Sequence, residues 1–285
     1  MKPFKIGVIC DSFRVGPREG VKKAREVGAD GIQVYAVQGE ICPEAMDSAA
    51  RREFKAFVAA QGLAISALCG DLGGHGFARA RDNPAKVERS RKIVDLAVDL
   101  GTNIVTTHIG VVPADKKSQE HQAMLAACRE LGQYARSKGV TFAIETGPET
   151  AVRLKGFLDD VGSAGIGVNL DPANLVMVTG DDPVAAVKTL AKYIVHTHAK
   201  DGVKLGPCDP VKVYHAFAEG GVEGMDMGKL FNEVPLGEGQ VRWDEYLAAL
   251  EAIGFKGFLT IEREVGPSPE ADIRKAVEFL KARIA

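Results

Sequence analysis

Apolar and polar positions along the chain follow one unit that repeats eight times. Each unit is a short run rich in Val and Ile, a loop, and a charged stretch of helical period that closes near a Gly. The runs are KIGVIC (5–10), GIQVYAV (31–37), LAISALC (63–69), NIVTTHIG (103–110), TFAIE (141–145), IGVNLD (166–171), YIVHTH (193–198) and GFLTIE (257–262). Short, nearly continuous apolar runs predict parallel strands covered on both faces. Stretches such as GVKKAREVGAD, ARREFKAFVAAQG, VERSRKIVDLAVDLG, LAACRELGQYARSKG and YLAALEAIG predict helices with a C-terminal Gly. In NPAKVERS and DDPVAAV an Asn or Asp precedes Pro, which predicts an N-cap and a first turn. Eight such units with no linker or low-complexity segment predict an α/β chain folded as a single (β/α)₈ TIM barrel domain over residues 1–285. A doubly wound open sheet is the alternative.

One connection breaks the rhythm. Between Asp201 and Trp243 the chain runs through a long segment rich in Gly and Pro. Loops of that length inside compact domains are usually functional or disordered. After the seventh barrel strand it would lie over the mouth, so residues 202–235 are expected to form a lid.

Composition narrows the class. Hydrophobic residues make up 46% and charged residues 26% of 285, the balance of a soluble globular protein. A net charge of −2 gives no electrostatic footprint for nucleic acid. Five cysteines (Cys10, Cys42, Cys69, Cys128, Cys208) form no CxxC pair and read as reduced thiols. The opening MKPFKIGVICDSF runs directly into a strand pattern and does not read as a signal peptide. No apolar stretch approaches the ~20 residues a membrane span needs. The expected location is the cytoplasm, with no membrane or nucleic-acid partner.

In a barrel of this type the active site is built at the C-terminal strand ends. The fourth strand closes on His108, the fifth on Glu145, the sixth on Asp171, the seventh on His198 and the eighth on Glu262. Asp11, Tyr35, Asp71 and His75 lie in or after the first three. Singly, each has a structural reading: Glu145 as a loop carboxylate, Asp171 as a turn initiator before Pro, His198 as a satisfied rim imidazole, Glu262 as a partner of Arg263. Together, strands five to eight aim Glu, Asp, His and Glu at one spot, and such a group would repel or hold protons unless a cation neutralised it. Hard oxygen donors with one imidazole suit one divalent ion, Mn²⁺ first, with Mg²⁺, Co²⁺ and Zn²⁺ as alternatives. The set contains no thiolate and leaves positions open for substrate, as a catalytic metal requires.

At this point the residues AIETG (143–147), NLDPANL (169–175), HTHAKDG (196–202), PLGEG (235–239) before a Trp-containing helix start, and LTIEREVG (259–266) resemble a known group. It is the xylose isomerase-like TIM barrel superfamily, in its sugar phosphate isomerase/epimerase branch. The resemblance implies that Glu145, Asp171, His198 and Glu262 bind one metal, and that Glu145 and Glu262 exchange protons with one carbon of a keto sugar through an enediolate. His196 would then lie one pleat deeper on the same strand face, as core or support. His108, Glu149, Asn174, Lys200 and Arg263 are the candidate substrate contacts. At two positions the chain departs from ketose 3-epimerases, with Asn174 in place of a His and Lys204 in place of an Arg, and both departures point away from a free ketohexose. Family members are commonly dimers or tetramers, so a homo-oligomer is expected.

Other readings remain open. The same metal site would serve a lyase, dehydratase or hydrolase acting on a keto-inositol or a 3-keto-glycoside, with His215 or Glu219 from the long connection assisting. An endonuclease IV-like nuclease shares the barrel but needs more ligands than six histidines in this arrangement supply. A sugar-binding protein without catalysis would not need carboxylates on both sides of one carbon.

Overall fold

The computed structural model describes residues 2–220 and 227–285. Eight parallel strands close into a barrel. In chain order they are β1 (Lys5–Ile9), β2 (Gly31–Tyr35), β3 (Ala64–Cys69), β4 (Ile104–Thr107), β5 (Thr141–Glu145), β6 (Ile166–Leu170) and β7 (Ile194–Ala199). After the two strands of a separate hairpin, β8 (Asp201–Lys204) and β9 (Phe231–Val234), comes the closing strand β10 (Phe258–Ile261). β10 pairs with β1, Ile261 opposite Val8, and with β7, Thr260 opposite His198. Every other neighbour pair is also parallel, so no edge is left.

Helices cover the outside, and their starts follow local chemistry. α1 (Pro17–Val27) begins on Pro; Asp47 caps α2 (Ser48–Ala60) by accepting from the amides of Ala49 and Ala50. α3 (Asn83–Leu100) and α4 (Gln119–Ser137) follow, the latter capped by Ser118. Thr150 caps α5 (Ala151–Val161), and Asp171 caps the three-residue α6 (Pro172–Asn174), which widens into a π turn over Leu175–Thr179. Asp182 caps α7 (Pro183–Leu190) and Asp209 caps α8 (Pro210–Ala218). α9 (Trp243–Ala252) and α10 (Pro269–Ile284) complete the ring. No helix among the described residues is long and apolar enough to cross a membrane.

Three details differ from the sequence expectation. Asn83 does not cap α3: its amide group donates instead to the carbonyls of Phe77 and Ala123, tying the loop after β3 to α4. The C-caps of α2, α4 and α9 are Gln61, Lys138 and Ile253, each one residue before the expected Gly. β7 extends through Ala199, so His198 is still inside the ladder rather than at its end.

The long connection is structured over its described part. β8 and β9 pair antiparallel, Asp201 opposite Val234, and α8 lies between them in sequence. Residues 221–226 of the expected lid lie outside the described residues.

The candidate metal and active site

The barrel interior near its C-terminal end is polar and internally paired. Thr260 Oγ1 meets His196 Nε2 at 3.1 Å, and His196 Nδ1 meets Asn169 Oδ1 at 3.0 Å. Burial and the neighbouring His198 push the His196 pKa well down, so this ring is neutral. It sits one pleat below His198, hydrogen-bonded inside the barrel. Asn169 Nδ2 donates to Glu145 Oε2 at 3.3 Å, and Gln33 donates to Thr106 Oγ1 at 3.0 Å, which turns Gln33 Oε1 toward His198 Nε2 at 3.3 Å.

Burial opposes a charge on His198, but the carboxylates around it raise its pKa well above the usual value; in the neutral tautomer that gives Nε2–H to Gln33 Oε1, Nδ1 would be the ligand atom. That atom faces three carboxylates: Glu145 Oε1 at 3.3 Å, Asp171 Oδ2 at 3.6 Å and Glu262 Oε2 at 3.3 Å. One ligand atom from each of Glu145, Asp171, His198 and Glu262 lies within 4.8 Å of the other three, and all four residues are buried. Asp171 shows why the group fits a cation. Its Oδ1 accepts from the Asn174 amide as the α6 cap, while its buried Oδ2 has no hydrogen-bond partner. A buried carboxylate oxygen without a hydrogen-bond partner, beside two more carboxylates, is costly unless a cation sits among them. Burial raises the Asp171 pKa, with His198 and Lys200 offsetting only part. Hard oxygens with one nitrogen match Mn²⁺ or Mg²⁺ better than a soft metal.

Around this floor the structure distributes the other candidates unequally. His108 stands just past β4, its Nε2 3.6 Å from Glu145 Oε1. Asn174 donates to Glu145 Oε1 at 3.2 Å. Lys200 donates to Glu262 Oε2 at 3.0 Å and to Glu264. Burial opposes its charge, but Glu262, Glu264, Asp171 and Glu233 outweigh that and hold the ammonium well above its ordinary range. His108, Asn174 and Lys200 all line the cavity above the floor. Glu149 does not: it is buried behind the wall, accepting from the Val112 amide at 3.1 Å. Arg263 is turned away from the cavity, binding Glu233 at 2.6 Å and Asp272 at 2.9 Å.

Several residues of the site were not singled out from the sequence. Glu264 lies two residues past Glu262 and so returns to its side of the strand direction, a period-two signal that was available. Gln33 and Asn169 sit within strands and carry no motif of their own. Tyr214 comes from α8, lines the cavity and packs edge-on against His108 with ring centroids 5.7 Å apart. Gly147, at φ 152°, makes room for it: a Cβ there would lie 2.6 Å from the Tyr214 hydroxyl. Of the two residues expected from the long connection, His215 lines the cavity, while Glu219 does not and has its Oε1 3.3 Å from Nε2 of the lining residue His75.

Comparison with known proteins fits this geometry. A 145-residue segment is 32% identical to the uncharacterized protein YfiH of Bacillus subtilis (strain 168), and the match spans 42% of that protein's length and 48% of this chain. A xylose isomerase domain protein from Planctomyces limnophilus superposes with a TM-score of 0.78 at 25% identity, over 99% of this chain and 96% of that one. The probable 3-DHS dehydratase AsbF of Bacillus anthracis, involved in petrobactin synthesis, gives a TM-score of 0.75 at 21% identity over 98% and 99%. A D-psicose 3-epimerase from Clostridium cellulolyticum H10, solved with D-tagatose, gives 0.74 at 14% identity over 99% of both chains. The family model of the xylose isomerase-like TIM barrel matches residues 21–283, and this chain belongs to that family.

Proposed function

We propose that this chain is a divalent-metal-dependent isomerase or epimerase of a keto sugar or related polyol ketone, working through an enediolate. The observation that carries the reading is the buried four-residue cluster, with Asp171 Oδ2 left unpartnered at its centre. Glu145, Asp171, His198 and Glu262 would hold the ion, Mn²⁺ being our first choice. When bound, it supplies Lewis-acid polarisation of the substrate carbonyl and acidifies the adjacent C–H. Glu145 and Glu262 act as the base and acid, each reached from a different strand. Lys200 holds Glu262 ionised and in place, and hydrogen bonds from Asn174 and Asn169 fix the position of Glu145. A proton taken by one carboxylate and returned by the other to the opposite face inverts the carbon. A proton returned to the neighbouring carbon isomerises the ketone instead.

A second reading uses the same floor for elimination, as a lyase or dehydratase. What opens it is that Lys204, whose ammonium donates to the Val178 carbonyl at 3.2 Å, does not line the cavity, which counts against a free ketohexose as the substrate. That position and Asn174 are where the chain departs from ketose 3-epimerases.

The test is solvent-deuterium wash-in followed by NMR. Mn²⁺-loaded protein is incubated in D₂O with ketoses, keto-inositols, hydroxypyruvate and 3-keto-glycosides. Exchange beside a carbonyl that EDTA abolishes is the expected result, and β-elimination products would select the second reading. Loaded protein that exchanges nothing across this panel would end the proposal.

A further inference from the structure

The cavity is larger than its floor requires. It holds about 1020 Å³, at the upper end of the roughly 300–1,000 Å³ typical of pockets for drug-sized ligands. Glu145, His198, Lys200 and Glu262 form its polar floor. The rest of the lining includes an apolar group, Val112 after β4, Val178 in the π turn, Val211 and Phe217 on α8, and Phe231 on β9, beside polar residues such as Asp71, His75 and Arg153. Seven large apolar side chains are exposed among the described residues, and three of them line this one cavity: Val211, Val265 and Phe217, the last 61% exposed. Water-facing apolar groups gathered in one concavity mark a binding surface, whereas scattered ones do not.

The wall and the floor belong to the same cavity, so a single ligand touching both would have a polar head and an apolar tail. The wall is partly aromatic, with the Tyr214 and Phe217 rings set edge-on at 6.2 Å, an arrangement that suits another ring. Arg263 is held by Glu233 and Asp272 and Lys204 by Val178, both outside the cavity, so among the described residues the one guanidinium in its lining is that of Arg153. Resting on the reading of the floor given above, we infer that the substrate is a keto sugar bearing an aryl or similarly apolar substituent. The sugar ring sits on the floor and the substituent lies against α8 and the loop after β4.

The probes are 3-keto-D-glucose and its phenyl β-glycoside, each offered to the Mn²⁺-loaded protein. Deuterium wash-in gives kcat/KM for each, and calorimetry gives each Kd. The expected result is a preference for the phenyl glycoside of roughly 10-fold or more in both measures, since a single methylene in an apolar pocket contributes that much. Phe217→Ser should shrink the preference, and as an exposed position it should not disturb folding. Equal exchange and equal binding of the two probes would overturn the inference while leaving the proposed function standing. Exchange of neither probe would count against the proposed function, and the ratio of the two Kd values would then decide the apolar wall by itself. Sedimentation showing a dimer that Phe217→Ser dissolves would also overturn the inference, making this face a contact between copies.

Discussion

Glu149 titrates in the opposite sense from a salt-bridged carboxylate. Burial pushes its pKa up to about 7, and the Val112 amide, His108 and Arg153 offset only part of that. The unfolded chain has a value near ~4.3, so the folded state binds this proton more tightly. Its contribution to stability is therefore fully present below the unfolded pKa and is lost as pH rises through 7. Glu149→Gln, neutral at every pH, should flatten the fall in stability between pH ~4.5 and 7, and at pH 8 should be the more stable protein by on the order of 2 kcal/mol. Urea denaturation of the metal-free forms at pH 5 and 8 checks this. Glu145→Gln and Glu262→Gln should each slow proton exchange by roughly 10²-fold or more if these groups do acid–base work; the wash-in rate is the measurement. Residues of this kind were legible to different degrees. Glu145, Asp171, His198 and Glu262 could be read because each follows a recognisable apolar run. Arg263 is held by Glu233 and Asp272 because adjacent residues on an extended chain face opposite ways, so the neighbour of an inward glutamate turns outward. Glu149 sits in a loop whose backbone path no local pattern reveals.

At the scale of elements, one carboxylate organises the long connection. Asp201 Oδ1 accepts from the amides of Gly202 and Val241, and Oδ2 from the Gly237 amide and the Trp243 indole. Gly239 is needed there, since a Cβ would meet Asp201 Oδ1 at 2.0 Å. The PLGEG run and the Trp that follows it are thus two halves of one binding arrangement around Asp201. Asp201→Ala would leave four donors without this acceptor, three of them in buried hydrogen bonds or beside them, and should cost at least about 3 kcal/mol. The chain has a single Trp, so its emission should shift to the red in the variant, a change that fluorescence reads directly. The sequence pattern showed this region only as long and Gly-rich. β8 is four residues of DGVK and β9 four of FNEV, too short and mixed for periodicity to separate from loop. Their pairing depends on a partner some thirty residues away, which local propensity does not encode.

At the scale of the whole molecule, the barrel departs from an aliphatic filling. Branched apolar residues usually stack in layers inside such barrels. Here two buried hydrogen-bonded groups, Gln33 with Thr106 and Asn169 with His196 and Thr260, meet at His198 and form a path under the other candidate ligands. That path fixes the rings and amides before any ion arrives, at the expense of holding three carboxylates together without one. Ion binding should therefore raise thermal stability strongly, by about 2.7 kcal/mol at a free concentration of 100 Kd. Calorimetric scans with Mn²⁺, and with Mn²⁺ followed by EDTA, should show a rise in Tm and its reversal, and Asp171→Asn should blunt both. The architecture itself was legible because eight repeats leave few alternatives; the polar interior was not, since its members look like ordinary strand residues until closure brings them together. The Asp201 knot has a last consequence, for protein engineering. Because one carboxylate fastens both feet of the excursion, a relative's segment of different length could be spliced between the same two anchors, remaking the cavity wall while the barrel and its candidate ligands are left alone.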